Sequence, residues 1–365
     1  MNDSFGSGKD KKRKIIWAVL FVVIAALSVF AVSSAVKGFS LSAVIELLRG
    51  ADPLWIVFAL VSMLGFVFFE AMALRTLVRS FGQQCSLKDG LLFTAADTYF
   101  SAITPSATGG QPASAYFMVR SGIPSSCATV SLVFNLALYT LAILIIGIVT
   151  IISMPGVYMF FRPAARVLIV LGALTLIGMA VIFVLIAVKR SFISRTGSIL
   201  IGMGCRLRIL RDRLKWDRRL EKWLEDYMSY AASIKTHKPA IIKALVCNIL
   251  QRLCQLAVTM FMYIAVSVHA SGLSYTQVIK NGVRLLGAQS LISIGSTYIP
   301  IPGAMGYTDL MMLDGFSTLM PEAQAVGLEL LSRFVSFYLC VIICFIVVIT
   351  ALLSGRVKDT GDHEK

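Results

Sequence analysis

Charged residues are scarce in this chain. Only 15% of its 365 residues are Asp, Glu, Lys or Arg, whereas 57% are apolar and the mean hydropathy is +0.82. A soluble domain carries about 25% charged residues. The composition therefore excludes an ordinary soluble protein and indicates an integral membrane protein.

Cysteine pairs and histidine clusters are also missing. The seven cysteines form no Cys-x-x-Cys pair, and His237, His269 and His363 lie far apart in the sequence. Neither a disulfide framework nor a metal site is predicted. The chain also lacks the motifs of phosphate loops, dinucleotide sites, zinc proteases and serine hydrolases. We therefore predict no catalytic residue, no metal and no cofactor.

Segments of alternating hydrophobicity are absent too, which argues against an outer-membrane barrel. What the chain has instead is a series of apolar runs of about twenty residues, enough to cross roughly 30 Å of hydrocarbon. The first apolar run follows a basic tail, which is also the arrangement of a secretory signal. This run is long enough to span the membrane, so we predict it to be a span. The predicted spans are Ile15–Val36, Pro53–Leu74, Ala128–Ser153, Ala165–Val188, Ala240–Val268 and Ala325–Leu353.

Two further apolar regions, Leu91–Tyr116 and Val278–Met320, are interrupted by helix breakers. Their corners read TPSATGGQP and YIPIPGAMGY. Proline and closely spaced glycines do not continue an ordinary helix. Broken backbone at membrane depth must face protein or water rather than lipid. These corners are therefore the first candidates for function.

The positive charge indicates the topology. The formal net charge is +15, and basic residues gather in the tail 1–14 and in the connection 189–238. Such segments remain cytoplasmic and are attracted to anionic lipid. We predict a multi-pass membrane protein with both termini, including the tail 355–365, in the cytoplasm. No nucleic-acid fold is visible, so nucleic acid is not an expected partner.

This topology divides the chain into two membrane halves, 15–188 and 239–354. The region 91–116 has basic flanks on both sides, which predicts a re-entrant hairpin from the cytoplasm. The region 278–320 begins and ends outside, although two full crossings are an alternative there. The predicted fold is an all-α polytopic membrane protein with about six full spans and two re-entrant helical hairpins in an inverted-repeat arrangement.

The connection 189–238 has apolar residues near helical spacing from Met203 to Tyr227, with arginines among them. Trp216 and Trp223 are typical of a membrane interface. We expect an amphipathic helix on the inner leaflet. A linker between the halves and a lipid-sensing element are both compatible with this pattern.

Ionisable residues inside apolar segments are costly and are therefore functional candidates. Arginine and the amides of a Gly-rich turn suit a phosphate, whereas carboxylates suit a cationic group. The alternative is that these charges only pair with one another, as Glu329 and Arg333 are spaced to do. We predict charge coupling by Glu70 and Glu329. The predicted substrate-binding residues are Asp97, Thr104, Ser106, Thr108, Gly109, Gly110, Gln111, Arg252, Arg284, Gly303, Asp309 and Arg333.

Three stretches carry a family resemblance. They are ITPSATGGQPASAYFMVRSGIP, the later YIPIPGAMGY and the final ELLSRFVSFYL. Together they resemble the membrane region of the lysylphosphatidylglycerol synthase/flippase family, and more closely its stand-alone members from Gram-positive bacteria. One departure is Ala304-Met305-Gly306 followed by Asp309, where the family usually has a Gly-Gly turn and a glutamate.

The resemblance implies a flippase-like membrane region that moves aminoacylated phosphatidylglycerol to the outer leaflet. The family's separate soluble domain attaches the lysine, and we expect this chain to lack it. We expect a lipid transporter of the bacterial plasma (inner) membrane for an anionic or aminoacylated phospholipid or a polyprenyl-phosphate lipid, with a homo-oligomer left open. The rival hypotheses are a phosphatidylglycerol lysyltransferase-like enzyme and an accessory subunit of envelope lipid synthesis.

Overall fold

The computed structural model describes residues 49–104, 107–206, 213–234, 237–270, 272–296, 311, 316 and 322–354, and within these ranges the chain contains no strand. Its helices are α1 (Pro53–Ser80), α2 (Leu87–Ile103), α3 (Gly110–Arg120), α4 (Ser125–Ser153), α5 (Pro155–Met159), α6 (Pro163–Val188), α7 (Arg190–Arg206), α8 (Arg213–Ser233), α9 (Lys238–Ala270), α10 (Tyr275–Gly295), α11 (Glu322–Arg333), a π-helix (Phe334–Leu339) and α12 (Cys340–Leu353).

Five of the predicted spans are confirmed as helices that are long and apolar enough to cross a membrane. The predicted Ile15–Val36 span lies outside the described residues. Large apolar side chains of these helices remain exposed, which fits a surface that faces lipid rather than water. The five helices are Pro53–Ser80, Ser125–Ser153, Pro163–Ile186, Lys238–His269 and Gly327–Leu353.

Helices α1 and α9 form the most extensive packed pair. Their pairing is fixed where α1 begins: the backbone N–H of Asp52 donates to the carbonyl of Ala265 at 2.9 Å. The Asp52 carboxylate also caps α1 by accepting from the Leu54 N–H at 2.9 Å, ahead of Pro53 at the first helical position. Thus the start of α1 lies beside the end of α9.

Helices α7 and α8 lie together at the other end of the bundle, which we call the basic end. Trp223 donates to Ser125 Oγ at 3.1 Å, at the start of α4, and Tyr227 donates to the Ile186 carbonyl at 3.4 Å. The ring of Tyr230 packs against Phe81, just beyond α1, at 5.7 Å between centroids. Two helices occupy the connection 189–238, where one amphipathic helix on the inner leaflet was expected, and they pack against each other at Gly197 and Leu220. Leu224 and Tyr227 are buried against the bundle.

The α2–α3 pair is a helical hairpin whose two arms begin and end near the basic end. Residues 81–86 join α1 to α2, and residues 121–124 join α3 to α4. The arms have 17 and 11 residues, or about 25 Å and 16 Å of helix. Ser86 and Asp89 form a capping box at the start of α2, with bonds of 2.9 and 3.2 Å.

Helix α10 returns into the bundle from the end opposite to α8. Its first half packs on α9, where a β-carbon at Gly282 would come within 3.1 Å of Ile264. Its last turn packs on α4 and α6, since Ile294 meets Gly147 and Gly172. Each of the three residues that α10 contacts lies nearer to the end of its helix that is opposite to the basic end. These residues are Ile264, Gly147 and Gly172. The described part of α10 therefore stays in the half of the bundle away from the basic end.

The last span contains a distortion that its apolar sequence does not reveal. Residues Phe334–Leu339 form a π-helix between α11 and α12. The ring of Phe345 in α12 lies 5.2 Å from that of Tyr99 in α2, so the last span packs against the hairpin. π-Helical turns are frequently found at functional sites.

Candidate functional site

Arg252 lies near the middle of α9 and is only 8% exposed. Its guanidinium stacks over the Tyr139 ring of α4, 4.7 Å from the centroid, and it donates to Gln255 Oε1 one turn further along. Among the described residues it forms no ion pair within 4 Å. A buried guanidinium held by a ring and an amide retains donors for an anion.

A pair of carboxyl groups lies beside Arg252. Glu70 of α1 and Asp97 of α2 are close enough to interact electrostatically, and Arg252 is near enough to attract Glu70. Gln251 Nε2 donates to Glu70 at 3.0 Å, and Gln111 Nε2 donates to Asp97 at 2.8 Å. Charge of both signs is thereby concentrated between α1, α2 and α9.

The two glutamines bring further oxygens to the same place. The side-chain oxygens of Gln111 and Gln251 are buried and accept no hydrogen bond from any described residue. Buried polar atoms are normally satisfied, so each unsatisfied one requires an explanation. Two carboxyls and two unpartnered amide oxygens form an acceptor-rich cluster that suits an ammonium group.

The corner of the hairpin positions Asp97 and Gln111. A β-carbon on Gly110 would come within 2.7 Å of the Asp97 carbonyl oxygen, so glycine permits the close approach of α3 to α2. Thr104 Oγ1 accepts from the Gly109 N–H at 2.8 Å, which ties the two arms together. Ala107 has a φ of +54°, a strained conformation for a residue with a β-carbon.

The cavity that borders Arg252 is small. It has a volume of about 10 Å³ and is also lined by Ser290 and Ser293 of α10. This is room for about one water molecule. Among the described residues, the cavity at Arg252 is therefore too small to hold a lipid headgroup.

The structure brings some predicted residues together and separates others. Glu70, Asp97, Gly110, Gln111 and Arg252 form one cluster. Arg284 lies apart from it, in a cleft beside the first half of α10. Thr108 is exposed.

Arg333 pairs with Glu329 at 3.2 Å inside the last span, which is the pairing that their spacing indicated as the alternative to function. Of the predicted binding residues, Ser106, Gly303 and Asp309 lie outside the described residues, as does the whole YIPIPGAMGY corner.

Sequence reasoning missed three groups. Tyr139 looked like one more aromatic residue of an apolar span, and nothing in the sequence marks it as the partner of Arg252. Lys280 could have been found, because it lies four residues before Arg284 and therefore on the same helical face. The buried contact of Thr150 with Ser290, at 3.0 Å, joins α4 to α10 and has no sequence signal.

The chain matches a protein-family model over most of its length. The model described as "Lysylphosphatidylglycerol synthase TM region" covers residues 15–344. A search of curated proteins finds no match.

Proposed function

The chain belongs to the lysylphosphatidylglycerol synthase TM region family, and from this premise we propose that it is a lipid transporter of the bacterial plasma membrane. It moves an anionic or aminoacylated phospholipid, or a polyprenyl-phosphate lipid, between the two leaflets. The observation that carries the proposal is the buried cluster of Glu70, Asp97 and Arg252 with unpartnered oxygens on Gln111 and Gln251.

This cluster matches both charges of an aminoacylated headgroup. Arg252 supplies donors for the phosphate, to which guanidinium groups bind in a bidentate manner. The carboxyls and the free amide oxygens accept hydrogen bonds from an ammonium. Charged groups are costly at bilayer depth unless they pair or function. A lipid headgroup that carries both charges removes that cost while it passes.

The helical hairpin supports a transport role as well. Each arm of α2–α3 is too short to cross roughly 30 Å of hydrocarbon, and both arms start from the basic end. We propose that the hairpin is re-entrant from the cytoplasm and that α10 leads into its counterpart from outside. Inverted repeats with broken helices near the midplane are a recurring transporter architecture.

The small cavity at Arg252 corresponds to an occluded conformation. Headgroup entry requires α2–α3 to move away from α1, or the end of α10 to move away from α4 and α6. Alternation between the two movements would expose Arg252 to one leaflet and then to the other. Glu70 makes this movement depend on the charge in the site. Two adjacent carboxylates, Glu70 and Asp97, repel each other, and a shared proton or a bound ammonium between them relieves the repulsion. Glu329 pairs with Arg333 in the last span at 3.2 Å, so a charge-coupling role for Glu329 requires this ion pair to open during transport.

The test uses purified protein in liposomes that contain fluorescent phosphatidylglycerol or lysylphosphatidylglycerol. A membrane-impermeant quencher reports how much label remains in the inner leaflet over time. We expect faster exchange than in empty liposomes for at least one of the two lipids. Exchange no faster than in empty liposomes for these lipids and for a polyprenyl-phosphate probe would contradict transport.

The enzyme hypothesis has a separate readout. The same protein is incubated with unlabelled phosphatidylglycerol and lysyl-tRNA, and the lipid products are identified by mass spectrometry. New lysylated lipid without exchange between leaflets would favour the transferase. Exchange without new lipid species is what the transport proposal predicts.

A further inference from the structure

A cleft of about 530 Å³ lies at the end of the bundle opposite to α7 and α8. It is bordered by the end of α4, by α5 and by the first half of α10. Its size falls within the range of small-molecule sites in proteins, about 300–1,000 Å³. The described residues that line it are Ser153, Met154, Gly156, Val157, Phe160, Ile279, Lys280, Val283 and Arg284.

Two cations and an apolar wall share this cleft. Lys280 and Arg284 are exposed and four residues apart, so they lie on one face of α10. None of the described lining residues is acidic. Neither cation forms an ion pair with a described residue, and the Arg284 contact with Asn281 Oδ1 is long, at 3.5 Å.

The rest of α10 explains why these cations are held at the cleft. The opposite face packs on α9 at Gly282, while Gly287 approaches Thr150 so closely that a β-carbon there would come within 3.1 Å of Thr150 Cγ2. The Ser290–Thr150 contact at 3.0 Å holds α10 against α4 one turn deeper. Two like charges on one face repel each other, so an anion between them stabilises this arrangement.

We propose that this cleft binds the phosphate of a membrane phospholipid, with Lys280 and Arg284 as the anion ligands. The guanidinium forms a bidentate contact with two phosphate oxygens, and the lysine adds a point charge. Met154 and Phe160, which are partly exposed, contact the acyl chains. Because the cleft is far from the basic helices, the lipid belongs to the leaflet on the other side from α8.

Within the transport proposal, on which this role rests, the cleft is the outer docking position of the lipid. Ser290 lies beyond Arg284 on α10, in the direction of the Arg252 cavity, and lines that cavity. The Ser290–Thr150 hydrogen bond therefore lies between the docking position and the buried cluster. Breaking this hydrogen bond would connect the docking position with the buried cluster.

The test measures binding of dioleoylphosphatidylglycerol to delipidated protein by native mass spectrometry. The charge-removing variant is Lys280→Gln/Arg284→Gln. The matched control is Arg195→Gln/Lys222→Gln, which removes two exposed cations from α7 and α8 at the other end. A third variant, Lys280→Arg/Arg284→Lys, keeps both charges.

We expect the charge-removing variant to bind phosphatidylglycerol roughly tenfold more weakly, because it loses two charge-assisted contacts. The control and the charge-preserving variant remain within about twofold of the wild-type affinity. Equal losses in the charge-removing variant and the control, or no loss in either, would overturn the proposal.

Inorganic phosphate is added as a competitor to distinguish the source of the anion. Lipid binding that resists millimolar phosphate supports a phospholipid site. Loss of lipid binding at that concentration would overturn it in favour of a soluble anion. The charge-removing variant could lose lipid binding while the wild-type protein exchanges no lipid. That result would support the phospholipid site in the cleft and reject only its transport role.

Discussion

Gln251 donates a hydrogen bond to the Glu70 carboxylate over 3.0 Å, although the two residues are 181 positions apart in the sequence. The bond joins α9 to α1 in the interior of the most extensive helix pair. Gln251 is 1% exposed and Glu70 is 7% exposed, so neither group is hydrated by bulk water. A polar bond at this depth orients the carboxylate toward Asp97 and Arg252.

Glu70→Gln keeps the shape of the side chain and an acceptor for Gln251 but removes the charge. We expect lipid exchange to fall by roughly tenfold or more, because a hydrogen bond to a charged group contributes about 1.5–3 kcal/mol. We expect the melting temperature to be unchanged or higher, since repulsion from Asp97 is lost. Both are measured on the same purified protein.

The matched control for Glu70→Gln is Glu225→Gln, at an exposed position of α8. It should leave exchange and melting temperature at wild-type values. Wild-type exchange by the Glu70→Gln protein would show that the carboxylate only supports packing.

Gly110→Ala tests the close approach of the hairpin arms. The added β-carbon would meet the Asp97 backbone within 2.7 Å, so α3 must move away from α2. Overpacking of this kind costs about 1–3 kcal/mol. We expect a melting temperature several degrees lower and a loss of exchange. Gly178→Ala is the control, because nothing lies within 4 Å of its added β-carbon, and it should melt like the wild type.

The Cys85 thiol, between α1 and α2, should react slowly with alkylating reagents. Burial, and to a smaller extent Asp89, raises the pKa of this thiol from its ordinary value of 9.0 to about 11. At pH 8 about 0.1% of it is then thiolate, the reactive form. We expect Cys205, which is partly exposed on α7, to be labelled by maleimide well before Cys85. Peptide mass spectrometry gives both rates, and equal rates would contradict the burial of Cys85.

The same pKa shift predicts how stability depends on pH. The native pKa of Cys85 is above the unfolded value, so its contribution to stability is complete below pH 9. It is lost as the pH rises from about 9 to about 11, because the unfolded chain then releases the proton first. Cys85→Ala should therefore melt with a weaker dependence on pH in this window than the wild type.

The spans and several members of the site follow from the sequence because their signals are local. The apolar run from Ala128 to Ser153 is long enough to cross a bilayer whatever it packs against. Arg252 is conspicuous because it interrupts such a run. Gly109 and Gly110 mark a break in any context.

Other features depend on tertiary structure and have no local signal. The contact between Glu70 and Asp97 requires the crossing of α1 and α2, which the apolar pattern does not specify. Tyr139 becomes the partner of Arg252 only through the packing of α4 on α9. Leu224 and Tyr227 are buried against the bundle, a contact that helical periodicity alone does not distinguish from contact with lipid.

The exchange rate of Arg252→Ala protein in liposomes tests the buried headgroup site most directly. The comparison protein is Arg195→Ala, which removes an exposed arginine from α7. We predict that Arg252→Ala exchanges lipid no faster than empty liposomes while its melting temperature shows a folded protein, and that Arg195→Ala exchanges lipid at the wild-type rate. Wild-type exchange by folded Arg252→Ala protein would contradict the account.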